Sequence, residues 1–291
     1  MFNPNAIVID AFVTHTLTQF DRTFADTTQA QLISLEQAIR TAAETLLNCD
    51  CPYHDLQHTM LVTDVGQRIL QGRQLARGDL NAHQWIQAIV AMLFHDVGYL
   101  RMLLPADSQE RSIVSPEGAT VRPPKGSTDA FMTPFHVTRG AMFIRERFAQ
   151  DPQIDTTMVM DCIEMTRFPV PPNQAYQVTD TLPALVRAAD LIGQMADPQY
   201  LQKLSRLFAE FVETGEATRL GFSNAGALRS GFPEFFYAQV YPYIGDGIAY
   251  LKRTQEGQQW VANLYHHLHV SHVSQDFDPK LRAPELVVNN P

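Results

Sequence analysis

The sequence predicts an all-α protein, on three observations. Apolar residues recur at intervals of three and four through most of the 291 residues, the spacing of one helix face. No run of alternating apolar residues bounded by hairpin turns argues for a sheet. Prolines stand at helix starts, as in Thr133-Pro134, Leu182-Pro183 and Asp197-Pro198, where a missing N–H costs little.

The elements follow in order. Val8, Phe12, Phe20 and Phe24 predict a first helix, and Leu32, Leu35, Ile39, Ala42 and Leu46 a second. His58, Leu61, Val62, Val65 and Ile69 place a third, with Gly72 and Gly78 marking its exit. Residues 80–97 form a fourth. Residues 98–133 hold Pro105, Pro116, Gly118, Pro123, Pro124 and Gly126 and read as a long irregular excursion, the kind of segment that covers a cleft. Thr133-Pro134 opens a helix through Phe148. Another runs from about Asp155 to Thr166 and stops at Phe168-Pro169-Val170-Pro171-Pro172. Pro183 opens the helix carrying Asp190, and Asp197-Pro198 caps the next. Glycine-rich 214–231 reads as irregular. Helices over Phe232–Thr254 and Glu256–His272 precede a proline-containing tail.

Composition bounds the function. A 45% hydrophobic, 18% charged chain of this length can bury a substantial core. The net charge of −9 argues against a duplex nucleic-acid partner, which selects a basic face. It is compatible with a small phosphorylated substrate, because bound cations supply positive charge locally. Met1–Asp10 has no basic segment followed by a long apolar core, so no secretory signal is expected there. The longest apolar stretch, Ala88–Phe94, is too short for a bilayer span, so no membrane partner is expected. Three cysteines make no disulfide framework, and a reducing cytoplasm is the expected compartment. Cys49 and Cys51 read as two thiols at a helix end, since no second ligand pair of finger-like spacing follows.

The chemistry concentrates in three places. His95-Asp96 ends the apolar run Trp85–Phe94, where two ionisable side chains are costly to bury unless something binds them. Upstream, Tyr53-His54-Asp55-Leu56-Gln57-His58 puts two histidines one helical turn apart. Downstream, Ala188-Ala189-Asp190-Leu191 sets an acid among small and apolar residues. His58, His95, Asp96 and Asp190 together offer two neutral nitrogens and two carboxylates. That set suits a divalent transition metal with open positions.

From about residue 50 to 195 this ordered series resembles the HD-domain superfamily of metal-dependent phosphohydrolases. Tyr53–His58 is similar to the Tyr-His-Asn-x-x-His motif of the cyclic-nucleotide phosphodiesterase branch, with Asp55 where that branch has Asn. The resemblance implies an HD-domain helical bundle with additional N- and C-terminal helices. The expected layout is a single all-α domain over 1–291, its HD core at about 50–195 and a helical extension at about 198–275. It implies one or two divalent ions (Mn, Fe, Zn, Mg or Ni), with His58, His95, Asp96 and Asp190 as ligands and Asp96 as the bridge. His54 would be the general acid that protonates the leaving oxygen. His136, in His136-Val-Thr-Arg-Gly-Ala141, resembles the extra second-metal histidine of several subgroups. The His-His pair expected one helix later is missing; that stretch reads Asp161-Cys-Ile-Glu-Met-Thr166, so Glu164, Asp161 or water would complete the second site.

Among the cations near these segments, Arg139, Arg101 and Arg167 are the candidate phosphate-binding residues, with Lys125 as a further possibility. Tyr265–His272, dense in histidine, reads as a polar helix end, and Phe235–Tyr243 as core aromatics rather than a base-stacking surface. The expectation is therefore a metal-dependent phosphohydrolase that cleaves a phosphoester, a nucleotide or cyclic nucleotide among them, with metal-activated water. The rivals are a di-iron HD-type oxygenase and a non-catalytic sensor of nucleotide or metal.

Overall fold

In a computed structural model, which describes residues 2–273, the chain folds as helices packed about two central ones. The first helices are α1 (Pro4–Thr23), α2 (Gln29–Leu46), α3 (Leu56–Arg77) and α4 (Ala82–Phe94). Their starts are written locally. Asn3 caps α1 ahead of Pro4, and Thr28 with Gln31 and Asn81 with Gln84 form reciprocal capping boxes for α2 and α4. Asp55 caps α3 by accepting the His58 N–H at 3.0 Å, so the Tyr53–His58 motif is the helix start itself. Gly78 ends α3 in the left-handed conformation, but Gly72 lies inside the helix rather than at its exit. A Cβ there would sit 2.0 Å from the Tyr250 carbonyl oxygen, so a glycine is needed for the close approach of the later helix.

α5 (His136–Arg147), α6 (Thr156–Met165) and α7 (Leu182–Met195) follow, and α7 lies along α3 with α4, α5 and α6 around them. α4 is buried from Trp85 to Phe94 and apolar around its circumference except at Gln87, whose amide is hydrogen-bonded to the Gln153 carbonyl and the Asp155 N–H. Each such Leu, Ile or Phe contributes about 1.5–3 kcal/mol by leaving water. α8 (Tyr200–Thr214), α9 (Glu216–Leu220), α10 (Ala225–Phe235), α11 (Tyr241–Leu251) and α12 (Gln255–Val273) complete the described chain. α11 packs on both α3 and α7. One hydrophobic cluster therefore runs from Ile9 to Leu268. No helix among the described residues is long and apolar enough to cross a membrane.

The expected all-α class is what the structure shows, with local departures. Residues 98–133 hold a two-stranded antiparallel hairpin, β1 (Ser112–Ile113) and β2 (Thr120–Val121), paired Ser112 to Val121. Thr133 does not cap α5: its hydroxyl donates to the Ala130 carbonyl, and the helix starts at His136. The stretch read as irregular, 214–231, contains α9 and the start of α10. The helix expected over 232–254 is broken by a π turn at Phe236–Val240, between Pro233 and Pro242, neither of which can donate to a helical ladder. The expected C-terminal tail lies outside the described residues.

Candidate metal centre

Three helices deliver the cluster. His95 is the C-cap of α4, and Asp96 follows as the chain enters a 3-10 turn over Val97–Tyr99. That change of backbone lets consecutive side chains converge where a continuing helix would splay them by about 100°. His58 comes from the first turn of α3 and Asp190 from the middle of α7. His58 Nε2 lies 3.3 Å from His95 Nε2, 3.3 Å from Asp96 Oδ2 and 3.4 Å from Asp190 Oδ1. His95 Nε2 lies 3.0 Å from Asp96 Oδ2 and 3.5 Å from Asp190 Oδ1. Four side chains scattered over 130 residues of sequence thus meet at one point. His58, His95 and Asp190 form a set whose donor atoms all lie within 4.8 Å of one another, able to hold a metal ion.

The chemistry of the donors fits a cation. Asp96 Oδ2 is buried with no hydrogen-bond partner despite its short distances to both imidazoles, a costly state for a carboxylate oxygen. His95 Nδ1 lies 2.8 Å from the Met92 carbonyl, to which only a protonated nitrogen can donate. That bond leaves the Nε2 lone pair facing the cluster, the orientation by which proteins fix a ligating imidazole. Burial opposes charge on His58 and His95, but Asp96 and Asp190 outweigh it and raise both pKa values. Burial likewise opposes ionisation of Asp96 and Asp190, and the imidazoles overcome it, holding both carboxyls below the usual range. A proton and a cation would compete for the same pocket of negative charge.

His136 stands at the edge of this cluster. Its Nδ1 lies 2.6 Å from the Thr133 carbonyl, and its Nε2 lies 3.9 Å from Asp96 Oδ1, where His58 and His95 approach Oδ2. Gly98 makes this possible: a Cβ there would fall 1.9 Å from the His136 carbonyl oxygen, so only glycine lets α5 come this close. Glu164 does not join His136. It is bound at 2.6 and 2.9 Å by Arg167 and at 2.5 Å by the Tyr176 hydroxyl, and Asp161 points to solvent.

His54 lies beside the cluster and is held by a residue the motifs did not reveal. Its Nδ1 is 2.6 Å from Glu210 Oε2 on α8, while Glu210 Oε1 accepts the Tyr53 and His54 N–H groups at 2.6 and 3.2 Å. Burial alone would lower the His54 pKa, but Glu210, with Asp96 and Asp190 adding to it, raises it to about 9. The Tyr99 ring is stacked between His54 (4.8 Å) and His136 (4.3 Å), so the two histidines flank one aromatic plate. The side chains of His54, Asp190 and His136 are 18, 16 and 14% exposed, against 4, 1 and 5% for His58, His95 and Asp96. Access to the cluster is therefore from the side of His54 and His136.

The three arginines expected to bind phosphate are each engaged by protein groups. Arg139 is fully buried: it donates to both Asp107 oxygens at 3.2 and 2.9 Å, and to the carbonyls of Gly98, Leu100 and Ile113. Arg101 is spent on Asp129, Asp50 and the Ser127 carbonyl, and Arg167 on Glu164 and Thr138. Lys125 is exposed near the tip of the excursion. Arg139 fastens residues 98–133 to α5, Arg101 ties that segment to itself and to Asp50 in the α2–α3 connection, and Glu213 on α8 adds two bonds to Thr128. A cavity of about 880 Å³, lined among others by Thr41, Asp50, Arg101, Phe143 and Arg147, contains none of the cluster residues.

Fold and site thus define an all-α protein with a buried two-histidine, two-carboxylate centre able to hold a metal ion. The Npun_R2479-like family model matches residues 2–274, and the chain belongs to that family. No curated protein matches the sequence.

Proposed function

We propose that this chain is an HD-type, metal-dependent phosphohydrolase. The observation that carries the reading is the placement of a cationic histidine, His54, against a buried cluster of His58, His95, Asp96 and Asp190. A divalent ion held by those four residues, with His136 near Asp96 for a second, would supply Lewis acidity to water and to phosphoryl oxygens. The chain's own groups do the rest. Glu210 occupies His54 Nδ1, so Nε2 is the nitrogen left to donate. As water adds to phosphorus and the P–O ester bond breaks, the leaving alkoxide takes the Nε2 proton, and solvent returns one to the imidazole. Tyr99 holds the ring plane by stacking, and burial of the ligands limits the water that reaches them.

Arg101, Arg139 and Arg167 are each held by protein groups, which favours a small phosphoester whose charge the cations neutralise. The Tyr53–His58 motif favours a nucleotide or cyclic nucleotide within that class. The test is an activity screen of the metal-loaded protein on phosphomonoesters and cyclic and linear diesters, run in ¹⁸O-labelled water. Hydrolysis at phosphorus puts the label in the phosphate. Oxygen consumption with no label transfer would instead mark a di-iron oxygenase, and metal binding with no turnover on any ester would mark a sensor.

A further inference from the structure

Cys49 and Cys51 lie on the segment that joins α2 to the Tyr53–His54 turn, and neither takes part in the chemistry above. Both are free thiols. Asp50 between them is fixed: its N–H donates to Asp129 Oδ2 at 3.1 Å, and its carboxylate accepts the Asp129 N–H and the Arg101 guanidinium. The two thiols, two residues apart, belong to one packing group: Cys49 packs against the small apolar cluster that contains Cys51. The Cys49 thiol also lies 3.6 Å from the His54 carbonyl oxygen. Cys51 packs in a small cluster with Tyr99, the ring stacked between His54 and His136. Cys49 is half-buried and Cys51 buried, while Cys162 sits in the main core on α6.

We propose that Cys49 and Cys51 are a thiol-modification site, closed to an intrachain disulfide by a low-molecular-weight disulfide, and that closure displaces His54. The second half rests on the reading of His54 as the proton donor. Cys49, the more accessible, attacks one sulfur of RSSR as its thiolate; a mixed disulfide forms and RS⁻ leaves. The Cys51 sulfur then attacks Cys49 Sγ and expels the second RS⁻. The two protein thiol protons end on the two RS⁻ groups, giving 2 RSH; the protein loses two electrons and RSSR gains them. Closure draws the sulfurs together to about 2.05 Å and removes the S–H that faces the His54 carbonyl. Asp50 is tied to Asp129 and Arg101, and the Tyr53 and His54 N–H groups to Glu210, so the adjustment falls on residues 52–54. A thiol pair in a reducing compartment would stay open and close under oxidative load.

The experiment equilibrates the full-length, metal-loaded protein in glutathione buffers of rising oxidised fraction, quenches with acid, and alkylates the remaining thiols. Intact and peptide mass should show loss of two thiols, a 49–51 cross-link and Cys162 still alkylated; neither Cys49→Ser nor Cys51→Ser should form the cross-link. In the closed state the NMR titration of the His54 imidazole should shift, and turnover should fall roughly tenfold at unchanged metal content, reversibly with reductant. Three intact thiols under conditions that close a reference dithiol peptide would overturn the site. A stable glutathione adduct on wild-type Cys49 with Cys51 free would do the same. A closed disulfide with His54 titration and turnover like the reduced protein would overturn the coupling. Should the reduced protein turn over no phosphoester, the proposed activity falls, while the thiol count and His54 titration still decide this inference.

Discussion

Glu210→Gln isolates the His54 proton from the rest of the site. The amide keeps a carbonyl oxygen for the Tyr53 and His54 N–H groups and removes only the charge facing His54 Nδ1. With Glu210 the imidazole sits at about 9. Without it burial dominates, and the pKa should fall to or below the ordinary histidine value of about 6.5. At pH 7.5 the protonated fraction then drops from about 97% to about 9% or less, a rate loss of about tenfold if only the imidazolium donates. A cation bound at Asp96 and Asp190 takes back their part of the shift, so the basic limb of the wild-type pH–rate profile should lie somewhat below 9. The assay is kcat against pH for both proteins at matched metal content. The basic limb should move downward in the variant, and the deficit should narrow at low pH. Stability carries the same sign. A pKa raised on folding stabilises fully below about 6.5 and that contribution is lost as pH rises through 9, so the variant's deficit, on the order of 3 kcal/mol at most, should be greatest in acid. A basic limb unmoved by the substitution would refute the role given to the His54–Glu210 pair.

The other predictions separate ligation, proton transfer and scaffolding. Asp96→Ala should lose most bound metal and all turnover, whereas His54→Ala should keep its metal and lose turnover; equal metal loss in both would mean that His54 ligates. Arg139→Leu leaves Asp107 buried without its partner and should cost about 3–5 kcal/mol, read as a fall in the denaturant midpoint; a change in substrate KM with stability intact would return Arg139 to phosphate binding. Replacing residues 106–128 with a short linker removes Asp107 and should destabilise the fold for the same reason, while trimming only the exposed tip, 116–119, should leave stability and turnover near normal. Strong loss of turnover on trimming the tip would restore the idea of a mobile cover.

The helices and the histidine–aspartate cluster were legible because both are written locally. Apolar stripes and the helix-end position of His95-Asp96 are short-range signals, and they anticipated α1 to α4 and, with the histidines and acid in their order along the chain, the convergence of His58, His95, Asp96 and Asp190. The partners of the arginines were not legible, because proximity in sequence to a site residue does not say which way a long side chain turns. Arg139 follows His136 by three, yet it points into the excursion and meets Asp107. Glu210 was invisible to motifs, being more than 150 residues from the histidine it holds. A signal did exist: Glu210 falls on the stripe of Tyr200, Lys203, Leu204 and Leu207 that α8 buries, and an acid on a buried face needs a partner. The break at Phe236–Val240 escaped because the flanking prolines look like ordinary starts when read one at a time.

Elemental analysis of the purified protein beside its His58→Ala, His95→Ala and Asp190→Asn variants tests the metal centre most directly. Wild-type protein should carry one or two equivalents of a divalent transition metal, and each variant, still folded by circular dichroism, should lose most of it. A folded wild-type protein that takes up no divalent ion on dialysis against manganese, iron, zinc or nickel would contradict the centre, and with it the hydrolytic chemistry built on it.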